Sequence, residues 1–320
     1  MMSNHIKIFS GSANRALATK IAARVGVPLS AATLGRFPDG EIYVTFEETV
    51  RGRDVFLVQP TALQPNEYLM ELFLMADAAR RASAQRVTAV IPFFSYARQD
   101  RKERSRVPIS AKLMANLLVA AGVNRVLTVD LHSPQIQGFF DIPVDHLYAA
   151  PLLVRYLREQ APSDRRVVVA PDPGSLKMAY SYAQLLGSGL ALAGKHRTSA
   201  TEVEALELVG NVDGKDCVLT DDMTTTAGTL CAAAKLAKEH GARSIRAAVS
   251  HCPITPLGIE RLKDSPIEEI VTTDSIPAPD WGGYPATVLT VADMLGDAIK
   301  CIYGDEPIST LFEIHQGRTP

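Results

Sequence analysis

The sequence predicts an α/β protein of two domains, each a mostly parallel sheet flanked by helices. Three observations carry that expectation. The chain has 320 residues, and at about 150 residues per domain this length suggests two. Strand and helix patterns alternate, pause at Ala161-Pro-Ser-Asp164 and start again, and repeated βα units imply parallel pairing through crossover helices. The segment 54–59 is almost continuously apolar, the pattern of a strand buried on both faces of a parallel sheet. The expected domains are residues 1–150 and 151–303, with the tail 304–320 packing near the first.

Composition narrows the class. A hydrophobic fraction of 47% and a charged fraction of 21% are those of an ordinary soluble globular protein. The net charge of -2 gives no basic footprint for nucleic acid. Cys217, Cys231, Cys252 and Cys301 form no CxxC pair and read as reduced thiols of a cytoplasmic protein. The first ten residues lack the apolar core of a signal peptide. No run of about 18 apolar residues exists, so no membrane segment is expected.

In the first half, residues 6–10 read as a strand. Gly11-Ser12 leads into a helix through Val25, with Leu17, Ile21 and Ala22 at helical spacing and Gly26 as its stop. Pro38, Asp39 and Gly40 make Arg36-Phe-Pro-Asp-Gly-Glu41 a turn. Strands are expected over 42–46, 54–59, 87–94 and 126–131, and helices over 66–84, capped by Asn66, and 111–121. The run 95–106 is the most basic in the chain. In the second half, helices are expected over 151–160, 175–186, 230–240, 257–263 and 291–303. Strands are expected over 167–170, 190–193, 217–220, 245–250 and 269–273. Ligands of such sheets sit beyond the carboxyl ends of the strands. Gly11, residues 96–101, Asp130, His132, Asp172, Lys195 and Asp221 all follow strand ends.

The most informative stretch is Cys217-Val-Leu-Thr-Asp-Asp-Met-Thr-Thr-Thr-Ala-Gly-Thr229. A buried strand breaks into a small, hydroxyl-rich turn and then a helix. Free N–H groups at that helix N-terminus suit a phosphate. Asp221 and Asp222 repel a phosphate but can hold the hydroxyls of a sugar attached to it, or a metal ion. The combination suggests a ribose-5-phosphate cradle; the plainer alternative is a strand–helix turn with threonine N-caps. Gly189-Leu-Ala-Leu-Ala-Gly-Lys195 has the spacing of a nucleotide-binding P-loop. His196 stands where Ser or Thr should hold Mg²⁺, and the intervening residues are strand-like, so that reading is rejected.

Asp221 to Thr229 is similar to the 5-phosphoribosyl-1-pyrophosphate (PRPP) motif. Arg36-Phe-Pro-Asp-Gly-Glu41, Tyr96-Ala-Arg-Gln-Asp-Arg-Lys102 and the block 129–147, which begins Val-Asp-Leu-His-Ser-Pro-Gln, resemble the ribose-phosphate pyrophosphokinase family. The resemblance runs from about Ile6 to Phe312. It implies two phosphoribosyltransferase-like domains and a reaction in which ribose 5-phosphate and ATP give PRPP and AMP. It also implies an adenine and ATP-phosphate site at Phe37, Asp39, Gly40, Glu41, Arg98 and Gln99. Ribose 5-phosphate would bind at Asp221, Asp222, Thr225, Thr226, Ala227, Gly228 and Thr229 with Arg197. Lys195 and Arg197 match a mobile catalytic loop, with residues 197–211 as a closing lid. His132 and Asp172 match Mg²⁺-binding positions, and Asp130 would serve a second metal or orient His132. On its own, a histidine after a strand is more often a packed, hydrogen-bonded residue, and Asp172 before Pro173-Gly174 is a helix cap. The resemblance further implies a homo-oligomer of dimers assembling to a hexamer. Phosphate or ADP would act as effectors near Ser309-Thr-Leu-Phe312.

Two departures stand out. The family's motif carries a third aspartate where this chain has Thr225. Exchanging a charged hydrogen-bond partner for a neutral one costs about 1–1.5 kcal/mol, roughly tenfold in affinity for the sugar. His251-Cys-Pro-Ile-Thr-Pro-Leu-Gly258 replaces a glycine- and serine-containing turn, which puts regulation by phosphate and ADP in question. Both departures also raise the alternative of a non-catalytic, synthetase-associated regulatory subunit. A phosphoribosyltransferase that consumes PRPP is the third reading; the length and the Phe37 and Arg98 motifs argue against it.

Overall fold

The computed structural model describes residues 5–160, 163–196 and 205–309. They form two compact units, each taken by itself. The first runs to Tyr148 and includes Ser275–Pro277 and the residues from Thr290 on; the second holds Ala149–Asp274 and Ala278–Leu289.

In the first unit, β1 (Ile6–Ser10), α1 (Arg15–Val25), β2 (Ala32–Arg36), β3 (Ile42–Phe46) and β4 (Asp54–Val58) are followed by α2 (Pro65–Arg81), β5 (Arg86–Ile91), α3 (Ser110–Ala121), β6 (Arg125–Val129) and β7 (Val144–Leu147). The sheet order is β1-β4-β5-β6-β7, parallel throughout. Strands β2 and β3 form a separate antiparallel hairpin. Val55 and Leu57 of β4 and Ala89 and Ile91 of β5 pack with Leu72 and Met75 of α2 and Leu118 of α3. The alternate residues Phe56, Val58 and Val90 are equally buried. Both faces of the sheet are covered, and that is why these strands are continuously apolar.

The entry to α1 is tightly bonded. Asn14 caps it by accepting the Leu17 N–H at 3.1 Å, and Gly26 closes it with φ +87°. Just before it, the buried carboxylate of Glu71 accepts the Ser12 N–H at 3.0 Å, the Ser12 hydroxyl at 2.7 Å and the Gln59 amide at 2.6 Å. Gln59 Oε1 in turn accepts the Ala13 N–H at 3.1 Å. Gly11 is required here, because a Cβ would come within 2.3 Å of the Gln59 side chain.

The second unit contains α4 (Ala150–Gln160), β8 (Arg166–Ala170), α5 (Leu176–Leu186), β9 (Gly189–His196), β10 (Ala205–Val209) and β11 (Asp216–Met223). They are followed by α6 (Gly228–Glu239), β12 (Ser244–His251), α7 (Pro256–Lys263), β13 (Glu269–Thr273) and β14 (Ala286–Leu289). The order is β10-β9-β8-β11-β12-β13-β14, with only β9 and β10 antiparallel. Residues 189–196 are strand, which removes the P-loop reading structurally.

Several expectations change. The helix α8 (Ala292–Gly304) was expected in the second domain but belongs to the first unit. It packs on α1 through a bidentate pair in which Arg24 bonds Asp297 at 2.9 and 2.6 Å, and its Ile302 carbonyl accepts from Arg86 at 3.1 Å. Asn66 does not cap α2: Pro65 opens the helix after Gln64, and Asn66 instead accepts the Tyr96 hydroxyl. Of the expected lid 197–211, residues 205–209 are β10 and 197–204 lie outside the described residues. All four cysteines are buried and unpaired. No helix among the described residues is long and apolar enough to cross a membrane.

Candidate active site

Strand β11 runs further than its apolar residues suggest. Asp221 pairs with Val249 and Met223 with His251 of β12, so Asp221 and Asp222 lie on the strand end rather than in the turn. Ladder bonds to β12 outweigh the poor strand propensity of aspartate. Both carboxylates are half-buried, and Asp221 Oδ1 accepts the Asp222 N–H at 2.9 Å. Burial first, and then the charge and hydrogen bond of Asp222 and the charge of Asp172, raise the Asp221 pKa well above the usual carboxylate range.

Residues 224–227 then turn into α6. Ala227 takes the left-handed conformation, φ +54°, as N-cap. None of the threonines caps the helix with its side chain, contrary to the plainer sequence reading. The carbonyls of the turn point toward α7 and the strand before it. Thr224 donates its N–H to the His251 carbonyl at 3.1 Å. Thr225 O accepts the Thr255 N–H at 2.9 Å and the Thr255 hydroxyl at 3.2 Å. Thr226 O accepts from Arg261 Nη1 at 3.2 Å. In a trans peptide the C=O and the following N–H point in opposite directions. With the carbonyls of 225 and 226 held on one side, the N–H groups of Thr226 and Ala227 face the other. They lie beside the first N–H groups of α6, including those of Gly228 and Thr229, which have no intrahelical partner.

Asp172 sits at the end of β8, beside β11. Its Oδ1 accepts the Ser175 N–H at 3.0 Å while the Ser175 hydroxyl oxygen accepts the Asp172 N–H at 3.4 Å, a capping box. The cap reading of this residue therefore holds whatever else it does. The backbone of Lys195 lies in β9, opposite Leu206 of β10. Arg197 is outside the described residues.

In the first unit, Asp130 is buried with φ +36°, directly after β6, and its N–H donates to Leu147 O at 3.0 Å. Its charge, after burial, raises the Tyr148 pKa. The next N–H, of Leu131, donates to His146 Nε2 at 2.9 Å. His132 follows in an exposed position. Among the described residues, no three His, Cys, Asp or Glu side chains gather closely enough to hold a metal ion.

The segments 36–41 and 96–102 share an anchor. Phe37 is 51% exposed, and its ring lies 5.1 Å from that of Tyr43. The turn around it is closed by Phe37 N–H to Glu41 O at 2.8 Å, and Gly40 has φ +96°. Asp39 Oδ1 accepts the exposed Glu41's N–H at 3.2 Å. Arg36 pairs with Glu67, and Tyr96 bonds Asn66. Both segments are therefore tied to the first turn of α2. Arg98 is exposed, whereas the Gln99 side chain accepts the Ser110 hydroxyl at 2.5 Å, at the start of α3.

Sequence reasoning overlooked Thr255 and Arg261. The pair Thr255-Pro256 is itself a helix-start signal, a capping side chain followed by proline at the first helical position. Thr255 does cap α7, accepting the Gly258 N–H at 3.3 Å.

Fold and turn together define an α/β protein with a strand-to-helix turn at the carboxyl edge of a parallel sheet, where ligands of such sheets sit. A family model described as the N-terminal domain of ribose phosphate pyrophosphokinase matches residues 6–122, and one described as a phosphoribosyl synthetase-associated domain matches residues 196–313. The chain is 51% identical to a ribose-phosphate pyrophosphokinase of Rhodopirellula baltica over 96% of this chain and 98% of the relative. Identity to one of Clostridium perfringens is 48%, over 98% and 100%. The crystal structure of phosphoribosylpyrophosphate synthetase from Mycobacterium smegmatis matches with a TM-score of 0.89 at 40% identity, covering 94% of this chain and 100% of that one. The chain belongs to the ribose-phosphate pyrophosphokinase family.

Proposed function

We propose that this chain transfers the pyrophosphoryl group of ATP to the anomeric hydroxyl of ribose 5-phosphate, giving PRPP and AMP. The observation that carries the reading is the N–H-lined turn 225–229 with Asp221 and Asp222 on the strand end before it. The turn seats the 5-phosphate. The two carboxylates accept hydrogen bonds from the ribose hydroxyls, with Thr225 as a neutral third partner. The anomeric oxygen attacks the β-phosphorus and loses its proton. The bond from that phosphorus to the oxygen bridging the α-phosphate breaks, and AMP leaves with the oxygen.

ATP binds at Phe37, Asp39, Gly40, Glu41, Arg98 and Gln99, with the adenine against the exposed aromatic ring. Lys195 and Arg197 stabilise charge developing on the transferred and leaving phosphates. Mg²⁺ neutralises the triphosphate when bound. Asp172 would be a ligand in the second unit, and His132, with Asp130 in support, would be a ligand in the first. The carboxylates of Asp172 and Asp130 fit a hard cation, which is commonly held by one or two carboxylates plus substrate phosphates, whereas the imidazole of His132 is an unusual ligand for it. The chain acts as a homo-oligomer of dimers in a hexamer, under phosphate and ADP control near Ser309, and sedimentation with and without phosphate tests both. Four buried, unpaired thiols suit a reducing compartment, the cytoplasm.

Assaying AMP and PRPP with ATP, Mg²⁺ and increasing ribose 5-phosphate tests the reaction. Turnover of both products in equal amounts is expected. Retained ATP binding without AMP would sink the proposal and favour the regulatory subunit.

A further inference from the structure

We infer that Arg261, on α7, is a positioning residue for the sugar-phosphate turn and adds a positive charge at its rim; the inference rests on the reading of that turn as the ribose 5-phosphate seat. Three contacts support it. Arg261 Nη1 donates to Thr226 O at 3.2 Å. A Cβ placed on Gly228 would lie 3.4 Å from the same nitrogen, so the guanidinium stands against the first turn of α6. The backbone carbonyl of Arg261 accepts the Cys231 thiol at 3.4 Å, which fixes α7 to the next turn of the same helix.

The arrangement orients donors. Holding Thr226 O toward α7 turns the Ala227 N–H outward. Ala227 is a non-glycine residue in the left-handed region, a conformation that persists only when its surroundings hold it. Arg261 supplies that hold from outside the loop. A guanidinium beside a helix N-terminus also adds to the positive potential that a phosphate meets. Lysine would keep the charge but not the planar fork.

The test is steady-state kinetics of R261M and R261K beside the wild-type protein, varying ribose 5-phosphate and ATP separately. R261M is expected to raise KM for ribose 5-phosphate by roughly tenfold, the loss of one charge-assisted hydrogen bond. KM for ATP should move less than about twofold, and kcat should move less than KM does. R261K should recover part of the loss. A variant whose ribose 5-phosphate KM is unchanged, or whose two KM values rise together, overturns the inference. If R261M does not fold, R261K carries the same comparison. A wild-type protein that makes no AMP is a separate result: it strikes the functional reading, whereas an active wild type with an indifferent Arg261 strikes only this one.

Discussion

The carbonyl oxygen of Thr225 accepts two hydrogen bonds from a single residue, Thr255, through its N–H at 2.9 Å and its hydroxyl at 3.2 Å. These two threonines stand in the two segments that the sequence reading expects to depart from the family's pattern. The turn 251–258, expected to bear on regulation, underpins the turn 224–227. The same Thr255 hydroxyl caps α7. Thr255→Ala removes both contacts and should cost about 1 kcal/mol of stability, with Thr255→Ser close to wild type. Urea denaturation reads the difference, and equal stability of all three proteins would show these bonds to be idle.

Because Thr255 grips the main chain of residue 225, its side chain can change without the carbonyl moving. Thr225→Asp should therefore lower the ribose 5-phosphate requirement by about tenfold and leave KM for ATP alone. An unchanged or raised requirement would mean that residue 225 does not touch the sugar.

Asp221 offers a pH signature. Burial, and then Asp222 and Asp172, raise its folded-state pKa above the unfolded value. Its contribution to stability is thus greatest below the ordinary carboxylate range and is lost as pH rises toward the raised value. Thermal unfolding of the ligand-free protein should weaken between mildly acidic and neutral pH, and Asp221→Asn should flatten that slope. Sugar hydroxyls favour the charged carboxylate, so ribose 5-phosphate binding should release protons near neutrality. Calorimetry in buffers of different ionisation enthalpy measures that release; none in the wild type would contradict the assignment.

Lys195→Ala should lower kcat by ~10²–10³, as expected for loss of one group aimed at developing charge, while ribose 5-phosphate still binds. Full activity of the variant would remove Lys195 from the mechanism.

Glu71→Ala would strand the Ser12 N–H and the Gln59 amide, which have bonded to it. An expected loss of about 2–3 kcal/mol can be read by denaturant unfolding. A loss below about 1 kcal/mol would show that water replaces the carboxylate freely.

Much of the fold was legible because both faces of each sheet are covered. Strands such as β4 and β8 had to be continuous apolar runs, and the helices between them had to be amphipathic. What stayed hidden has physical causes. Strands β2 and β14 are half-exposed along much of their length and carry no apolar run. Asp221 and Asp222 were assigned to a loop because only pairing with β12 makes them strand. The place of α8 depends on contacts such as Arg24–Asp297, which periodicity cannot report. At the candidate site, the acidic pair and small turn could be read locally. Thr255 and Arg261 reach it across about thirty intervening residues, and nothing within the turn announces them.

Each unit enters a helix from a strand through a small turn. In the first, Glu71 has already taken the N–H and hydroxyl of Ser12. The polypeptide supplies its own anion there, whereas no side chain caps the α6 entry in the second unit. On the proposed function, a titration with ribose 5-phosphate should therefore saturate at one equivalent per chain, the Ser12 donors of the first unit being already bonded to Glu71.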